Sequence, residues 1–251
     1  MAHVILTGCT GTAGASMLAQ CIKSSKVSRV SILSRRPVKQ AEGQDKVKVH
    51  IQKDFNSYPD SLLRELEGAV GCIWALGISV SQVKPDEYRT ITYNYTLAAA
   101  KAFAPLNPAF NFVYISGEGA TRTPSRFTQL FARVKGESET ALLALRSGYP
   151  GLRIWNVRPA FIDESQNPLK DGPDIMLKKV LGRALPLFRT VWPSGVTPAG
   201  PLAELLESCA LDTASKDDVK ARVRGKGVTV EEGDTLGVLL ANTGIRRLAG
   251  L

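Results

Sequence analysis

Cysteine and histidine are scarce in this chain. Its 251 residues include four cysteines and two histidines, and they form no CxxC pair and no Cys/His cluster. The cysteines are Cys9, Cys21, Cys72 and Cys209, and the histidines are His3 and His50. Structural zinc needs closely spaced ligands and a disulfide framework needs paired cysteines, so we expect neither a metal site nor a disulfide bond. We interpret the cysteines as free, buried thiols.

Long apolar runs are also missing. No run approaches the roughly 20 residues that a bilayer-spanning helix requires, so we expect no membrane span. The first residues lead directly into a strand-like stretch, without an apolar signal core or an Arg-rich transit helix. We therefore expect a cytoplasmic protein.

Acidic residues are outnumbered by basic ones. There are 23 Asp and Glu against 32 Lys and Arg, which gives a formal net charge of +9. Such an excess suits nucleic acid, an anionic membrane surface or an acidic small molecule. The basic residues are spread out, with modest clusters at 35–39 and 216–226, and no zinc-finger, RNP-type or long basic motif accompanies them. We interpret the charge as a solvated surface and expect a small-molecule substrate, no nucleic-acid partner, and a monomer or homodimer.

What the chain does contain is an alternation of strand-like and helix-like segments, which is typical of a parallel α/β sheet. The predicted strands cover residues 3–7, 29–33, 47–52, 71–75, 111–116 and 153–157. The predicted helices between them cover residues 13–24, 58–67, 86–103 and 125–147. Crossovers of this length suit right-handed βαβ units, so we predict an α/β fold with a doubly wound parallel sheet of the Rossmann type.

The pattern weakens after Pro159. A loop is predicted at 163–173, helices at 175–185 and 199–211, a basic linker at 216–226, a strand at 228–230 and a closing helix at 234–242. We predict one NAD(P)-binding domain over residues 1–251, with a Rossmann core at 1–162. The remainder, 163–251, is expected to pack onto the edge of the sheet as a small C-terminal lobe that forms the substrate cleft.

A GxxGxxG run follows the first strand and opens the first helix. Gly8 allows a tight turn, Gly11 lets the backbone approach a pyrophosphate, and Gly14 lets the helix and the strand pack closely. The helix N-terminus offers N–H groups and a positive dipole to the phosphates. The predicted phosphate-binding residues are Gly8, Thr10, Gly11, Thr12, Ala13 and Gly14.

The end of the second strand bears on the choice of cofactor. NAD-binding proteins usually place an acidic residue there, to hold the ribose 2′-hydroxyl. This chain has Ser34, Arg35 and Arg36 instead, and two guanidinium groups suit the 2′-phosphate of NADP(H). A solvated basic turn is the alternative reading. Later strand ends add further predicted cofactor contacts at Asp54, Phe55, Ala75, Leu76 and Gly77.

With this glycine run and these residues at the strand ends, the chain resembles the atypical short-chain dehydrogenase/reductase superfamily. It is most similar there to the Tat-interacting oxidoreductase-like proteins and the fungal nucleoside-diphosphate-sugar epimerase-like proteins. The resemblance covers residues 3–162 and also rests on the motifs Tyr114-Ile115-Ser116-Gly117, Val134-Lys135-Gly136-Glu137 and Val157-Arg158-Pro159. It implies that Pro159, Ala160 and Phe161 lie near the nicotinamide.

The resemblance also implies a Ser–Tyr–Lys set of catalytic residues. Tyr exchanges a proton with the carbonyl oxygen, Lys lowers the Tyr pKa and holds the nicotinamide ribose, and Ser polarises the carbonyl. Lys135 matches the lysine, but Phe131 stands four residues earlier, where the tyrosine is expected. Ser116 matches the serine, or else the structural residue beside it, because Gly117 replaces the second serine common in this group. Other hydroxyl groups that could supply the proton belong to Tyr93, Tyr95, Thr121, Thr123, Ser125 and Thr128.

Three functions remain open at this point. The first is an NADPH-dependent oxidoreductase that acts on a small carbonyl or enone substrate with a non-standard proton donor. The second is a non-redox cyclisation or isomerisation on the same scaffold. The third is a non-catalytic NADP(H)-binding sensor or interaction protein. The intact cofactor motifs favour the first, whereas Phe131 favours the other two.

Overall fold

The computed structural model describes residues 1–163 and 195–251. The strands are β1 (Ala2–Thr7), β2 (Val27–Ser34), β3 (Val47–Ile51), β4 (Gly71–Trp74), β5 (Phe110–Ile115), β6 (Leu152–Val157), β7 (Phe161–Asp163), β8 (Val196–Pro198), β9 (Val228–Val230) and β10 (Gly237–Leu240). The helices are α1 (Thr12–Lys23), α2 (Asp60–Leu66), α3 (Pro85–Arg89), α4 (Tyr95–Phe103), α5 (Leu130–Leu145), α6 (Ala199–Ala210), α7 (Lys216–Val223) and α8 (Asn242–Leu248). A π-helical turn, Thr90–Asn94, joins α3 to α4.

Eight of these strands form one twisted sheet in the order β3-β2-β1-β4-β5-β6-β10-β9. All neighbouring pairs are parallel except β9 with β10. The strand order reverses between β1 and β4, and in open α/β sheets ligands bind at this switch point, beyond the carboxyl ends of the strands. The arrangement confirms the predicted doubly wound α/β fold.

Apolar side chains cover both faces of the sheet. On one face Leu18 of α1 and Leu206 of α6 belong to the cluster that includes Trp155 and Val238. On the other face Phe103 of α4 and Leu142 of α5 belong to the cluster around Trp74 and Phe112. Strands buried on both faces are continuous apolar runs, and for this reason the sequence located them well.

Three predicted elements differ from the structure. Helix α5 begins at Leu130 rather than near 125, because Thr128 Oγ1 accepts a hydrogen bond from the Ser125 amide and closes a turn there. The predicted basic linker is the helix α7, whose N-cap Ser215 accepts from the Asp218 amide (3.1 Å). The predicted closing helix at 234–242 is instead strand β10, which is buried beside β6, followed by α8.

The last strands of the chain therefore complete the main sheet. Strand β8 pairs with β7 in a separate two-stranded sheet. The predicted loop at 163–173, apart from Asp163 at the end of β7, and the predicted helix at 175–185 lie outside the described residues.

All four cysteines are free and buried, as predicted, and burial raises the pKa of each thiol. Among residues 1–163 and 195–251, no three His, Cys, Asp or Glu side chains are grouped closely enough to hold a metal ion. No helix in the same two ranges has the length and apolar character that crossing a bilayer requires.

Candidate active site

A cleft of about 1390 Å³ runs across the carboxyl ends of β1, β2, β4, β5 and β6. Most of the predicted site residues line it: Gly8, Thr10, Gly11, Thr12, Ala13, Ser34, Arg35, Arg36, Phe55, Ala75, Leu76, Gly77, Ser116, Phe131, Lys135, Pro159, Ala160 and Phe161. Two predicted residues, Gly14 and Asp54, do not line it. The fold thus brings residues from the ends of β1 to β6 into one groove.

The glycine loop after β1 is held against the end of β4. Gly8 has φ +67°, and a Cβ there would lie 2.3 Å from the Ala75 carbonyl oxygen, so no other residue fits. Thr7 Oγ1 accepts hydrogen bonds from the amides of Ala75 and Leu76, each at 3.1 Å. The two strand ends at the switch point therefore form a single backbone surface.

Gly14 packs directly beneath this loop. A Cβ at Gly14 would lie 2.2 Å from the Gly8 carbonyl oxygen, so the glycine is what lets α1 start directly under the turn. Gly11 is the N-cap residue of α1, and no side chain caps that helix end. An uncapped helix N-terminus facing a cleft attracts phosphate groups.

The outer end of the cleft is basic. Arg35 and Arg36 are both exposed and line it, and Ser34 Oγ accepts a hydrogen bond from the Arg36 amide (3.3 Å), which shapes the turn. Glu118 is the single carboxylate among the described lining residues, and it lies in the loop after β5. The potential around the two arginines is therefore suited to an anion.

The loop after β3 adds an aromatic wall. Phe55 is buried, with its ring centroid 6.0 Å from that of Trp74 and 5.8 Å from that of Tyr95. The carboxylate of Asp54 instead accepts from the Asn56 amide (2.9 Å) and the Ser57 hydroxyl (3.2 Å). Asp54 therefore shapes the loop that presents Phe55, and its side chain is directed away from the cleft.

At the inner end, Lys135 of α5 reaches the end of β5. Its Nζ donates hydrogen bonds to the carbonyl oxygens of Ile115 (3.3 Å) and Ser116. Burial lowers the pKa of Lys135 to about 8, and the carboxylate of Glu139 acts in the opposite direction. Ser116 Oγ is buried beside it and has no hydrogen-bond partner within residues 1–163 and 195–251.

Phe131 lies one helical turn before Lys135 and lines the same cleft. The Cζ at the tip of its ring is 3.4 Å from the position that a Cβ on Gly119 would occupy. The ring thus stands where the resemblance places a phenol, but it carries no hydroxyl group.

None of the other hydroxyl groups considered from the sequence lines the described cleft. Tyr93 stacks under Arg89, and Tyr95 packs on Phe55. The remaining four interact with one another in pairs along the loop before α5: Thr121 with Thr123, and Ser125 with Thr128.

Helix α5 is fixed to the sheet by a buried ion pair. Arg158, just after β6, donates from Nε to Glu139 Oε1 (2.8 Å) and from a second nitrogen to Oε2. Glu139 is fully buried, and such a bidentate pair sets the geometry of both partners. At Gly136 a Cβ would lie 1.8 Å from the Thr121 carbonyl oxygen, so this glycine lets the loop after β5 cross α5 directly beside Lys135.

The sequence analysis missed cleft residues near the C-terminus. Asn242 and Thr243, at the start of α8, line the cleft. Asn242 Oδ1 accepts from Thr197 Oγ1 (2.8 Å), and Thr197 Oγ1 itself accepts from the Ala160 amide (3.1 Å). Recognising the apolar run at 237–240 as a strand would have placed them at a strand end.

The strand order and the site define a Rossmann-type α/β protein of the kind found in short-chain dehydrogenases and reductases. No family model matches the chain. Leucinostatins biosynthesis cluster protein T of Purpureocillium lilacinum is 38% identical over 210 residues, which cover 74% of this chain and 76% of that protein. Botcinic acid biosynthesis cluster B protein 16 of Botryotinia fuckeliana (strain B05.10) is 39% identical over 166 residues, which cover 62% of this chain and 98% of that protein. The chain belongs to the protein family that includes these biosynthesis-cluster proteins.

Solved structures support the fold assignment. The Bordetella bronchiseptica enzyme WbmF in complex with NAD+ matches with a TM-score of 0.66 at 14% identity, over 100% of this chain and 87% of that one. A short-chain type dehydrogenase/reductase from Mycobacterium ulcerans matches with a TM-score of 0.63 at 14% identity, over 85% of this chain and 84% of that one. At this level of identity the likeness concerns the fold.

A further relative bears on localisation. Protein FMP52, mitochondrial, of Debaryomyces hansenii is 29% identical over 143 residues, which cover 56% of this chain and 59% of that protein. That relative is named for mitochondria, so the cytoplasmic location of this chain stays a prediction.

Proposed function

We propose that this chain is an NADPH-dependent oxidoreductase that reduces a small carbonyl or enone compound. One observation carries the proposal: a single cleft joins the glycine loop, the two arginines and Lys135. The family's biosynthesis-cluster names support a role in making a secondary metabolite.

The cleft fits a dinucleotide phosphate. At Gly11 a Cβ would meet only the Gly8 carbonyl oxygen, at 3.3 Å, so the bare backbone there leaves room for a pyrophosphate on the N-terminus of α1. Arg35 and Arg36 would hold the 2′-phosphate, and Phe55 would border the adenine. At the inner end Lys135, Pro159 and Ala160 would border the nicotinamide ribose and ring. When bound, the cofactor supplies a hydride.

The substrate would enter beside Phe131 and Phe161, which place apolar surface on both sides of the inner cleft. Asn242 and Ser116 add polar groups at the bottom of this region. An apolar slot with a few polar groups suits a small, largely apolar carbonyl compound. Non-redox chemistry on the same scaffold is the second candidate, and the absence of a hydroxyl on Phe131 favours it.

Binding and turnover are tested separately. Isothermal titration with NADPH, NADH and NADP+ is expected to give tightest binding for the phosphorylated cofactors. Mass spectrometry of the purified protein and NADPH absorbance during incubation with 4-nitrobenzaldehyde then test for a bound metabolite and for hydride transfer. Binding without NADPH oxidation, together with conversion of a co-purified metabolite, would favour the non-redox candidate. Failure of all three cofactors to bind would reject the proposal.

A further inference from the structure

The reduction proposed above needs a proton for the substrate oxygen, and Phe131 cannot give one. Among the described lining residues, Tyr114 on β5, Ser116 at its end and Lys135 on the same helix as Phe131 each carry an ionisable or hydroxyl proton. The burial and the hydrogen-bond partners of these three side chains determine which of them can donate a proton.

Tyr114 is a poor donor. Its hydroxyl is buried, and burial raises its pKa well above the usual range, while the neighbouring Ser138 hydroxyl acts in the opposite direction. The Ser138 hydroxyl beside it donates its own hydrogen bonds to the carbonyl oxygens of Val134 (2.8 Å) and Thr92 (3.2 Å). Tyr114 therefore faces the packed interior between β5 and α5.

Ser116 is placed to polarise rather than to protonate. Its buried Oγ has no hydrogen-bond partner among the residues that the structure describes and so is available to a substrate oxygen. An alcohol is, however, far too weak an acid to release a proton at neutral pH, and in the resemblance noted above it depends on a neighbouring acid.

Lys135 meets the requirements of a donor. Its ammonium has three N–H groups, of which two are directed to the carbonyl oxygens of Ile115 and Ser116. A Cβ at Gly117 would lie 3.8 Å from Nζ, so the glycine in the place of the group's usual serine leaves space directly over the ammonium. A side chain at this position would cover it.

The charged neighbours leave that ammonium without a dedicated counter-ion. Glu139, one turn further along α5, accepts hydrogen bonds from two nitrogens of the Arg158 guanidinium group. Glu118 is exposed in the loop after β5, and the Tyr114 ring lies 6.0 Å from Nζ. No carboxylate in the described part of the chain forms an ion pair with Lys135, which is consistent with its lowered pKa.

We propose that Lys135 is itself the proton donor of the reaction, and that Gly117 keeps its ammonium open to the substrate oxygen. The inference rests on the proposed function. The carbonyl carbon receives the hydride, the carbon–oxygen π electrons move to oxygen, and that oxygen takes a proton from Lys135 Nζ. The neutral amine then regains a proton from water. The net change is carbonyl, NADPH and H+ to alcohol and NADP+.

The first test uses 4-nitrophenolate, an oxyanion whose binding is followed by absorbance without turnover, in the presence and absence of NADP+. We expect affinity to fall as pH rises through about 8, where Lys135 loses its charge. Lys135→Met should weaken binding at least ~10-fold at pH 7, and Gly117→Ala several-fold. The matched control, Lys101→Met on the exposed side of α4, should bind as the wild type does. Equal affinities in Lys135→Met and the wild type would overturn the proposal.

A second variant separates proton donation from charge. Lys135→Arg keeps the positive charge but cannot release a proton near neutral pH. It should retain 4-nitrophenolate binding within a few-fold and lose at least ~100-fold in NADPH-dependent reduction of 4-nitrobenzaldehyde. Wild-type turnover in this variant would overturn the donor role. NADPH affinity, measured separately by fluorescence, distinguishes these results from a failure of the proposed function, because the phenolate test does not need the cofactor.

Discussion

At the scale of single residues, the proposed function assigns the choice of cofactor and the supply of the proton to different side chains. Arg35 and Arg36 take the position at which NAD-binding proteins place an acid, whereas Glu118, the single carboxylate among the described lining residues, lies in the loop after β5. Phe131 keeps the ring and loses the hydroxyl. Under the proposal, the choice of cofactor and the delivery of the proton can therefore be changed separately.

The double substitution Arg35→Ala/Arg36→Ala tests cofactor choice. If both guanidiniums hold the 2′-phosphate, the wild type should bind NADPH at least ~10-fold tighter than NADH, which corresponds to about 1.4 kcal/mol. The double variant should lose most of that preference and keep its NADH affinity, because the glycine loop is untouched. Titration calorimetry with both cofactors measures the ratio. Equal affinities in the wild type would contradict the assignment.

The substitution Phe131→Tyr tests whether a phenol at this position would supply the proton. The new hydroxyl would extend from Cζ toward Gly119, where the absence of a side chain leaves room, so the variant should fold normally. A phenol one turn from Lys135 adds a second acid, and general acid catalysis is typically worth ~10²–10⁴-fold. Initial rates of 4-nitrobenzaldehyde reduction should therefore rise. An unchanged rate would mean that residue 131 does not stand at the reacting oxygen.

At the scale of secondary-structure elements, the β1–α1 junction divides its glycines between folding and binding. A Cβ on Gly8 would overlap the Ala75 carbonyl group, and a Cβ on Gly14 would overlap the Gly8 carbonyl group, so neither position admits a side chain. Gly11 is different, because a Cβ there would meet only the Gly8 carbonyl oxygen, at 3.3 Å, and its φ is −99°. Of these three glycines, only Gly11 lies where the surrounding backbone leaves space for a side chain.

Gly11→Val and Gly14→Ala are expected to fail in different ways. Gly11→Val should fold and melt close to the wild type but lose NADPH binding, since the branched side chain occupies the place of the pyrophosphate. Gly14→Ala should lower the melting temperature, since its Cβ would overlap the Gly8 carbonyl group. Thermal unfolding and NADPH fluorescence report the two effects. NADPH affinity within about two-fold of the wild type in Gly11→Val would exclude this loop as the cofactor site.

The elements also show what the sequence could and could not reveal. The strands β1 to β6 were predictable within a residue or two, because most of them are largely apolar and the edge strand β3 alternates apolar and polar residues. Strand β10 was misread as a helix, since its four residues are too few to show a period, and what makes them a strand is pairing with β6 from far along the chain. The same error concealed Asn242. Lys135 and Ser116 could be paired by motif, but the contact of Nζ with the Ser116 carbonyl required the fold.

At the scale of the whole molecule, one edge of the sheet contains a buried titratable cluster remote from the cleft. His3 on β1 and His50 on β3 both face Ser31 on β2, at 2.9 and 3.4 Å from its Oγ. Burial, with a smaller contribution from Arg29, lowers the pKa of His3 to about 4, and burial also lowers the pKa of His50. Residues of three strands thus form a buried site in which protonation of either imidazole is unfavourable.

This cluster makes the stability of the sheet depend on pH. The folded-state pKa of His3 lies below its unfolded value of 6.5, so its contribution is fully present above pH 6.5 and is lost as pH falls toward 4. From that difference, the loss between pH 7 and pH 4.5 is about 2 kcal/mol. His3→Leu removes the titrating group and leaves His50 as a partner for Ser31. Urea unfolding at both pH values should therefore show the wild type losing about 2 kcal/mol more than the variant, while carboxylates elsewhere contribute equally to both. Parallel losses in the two proteins would mean that His3 is protonated in the folded state and that this edge of the sheet tolerates the charge.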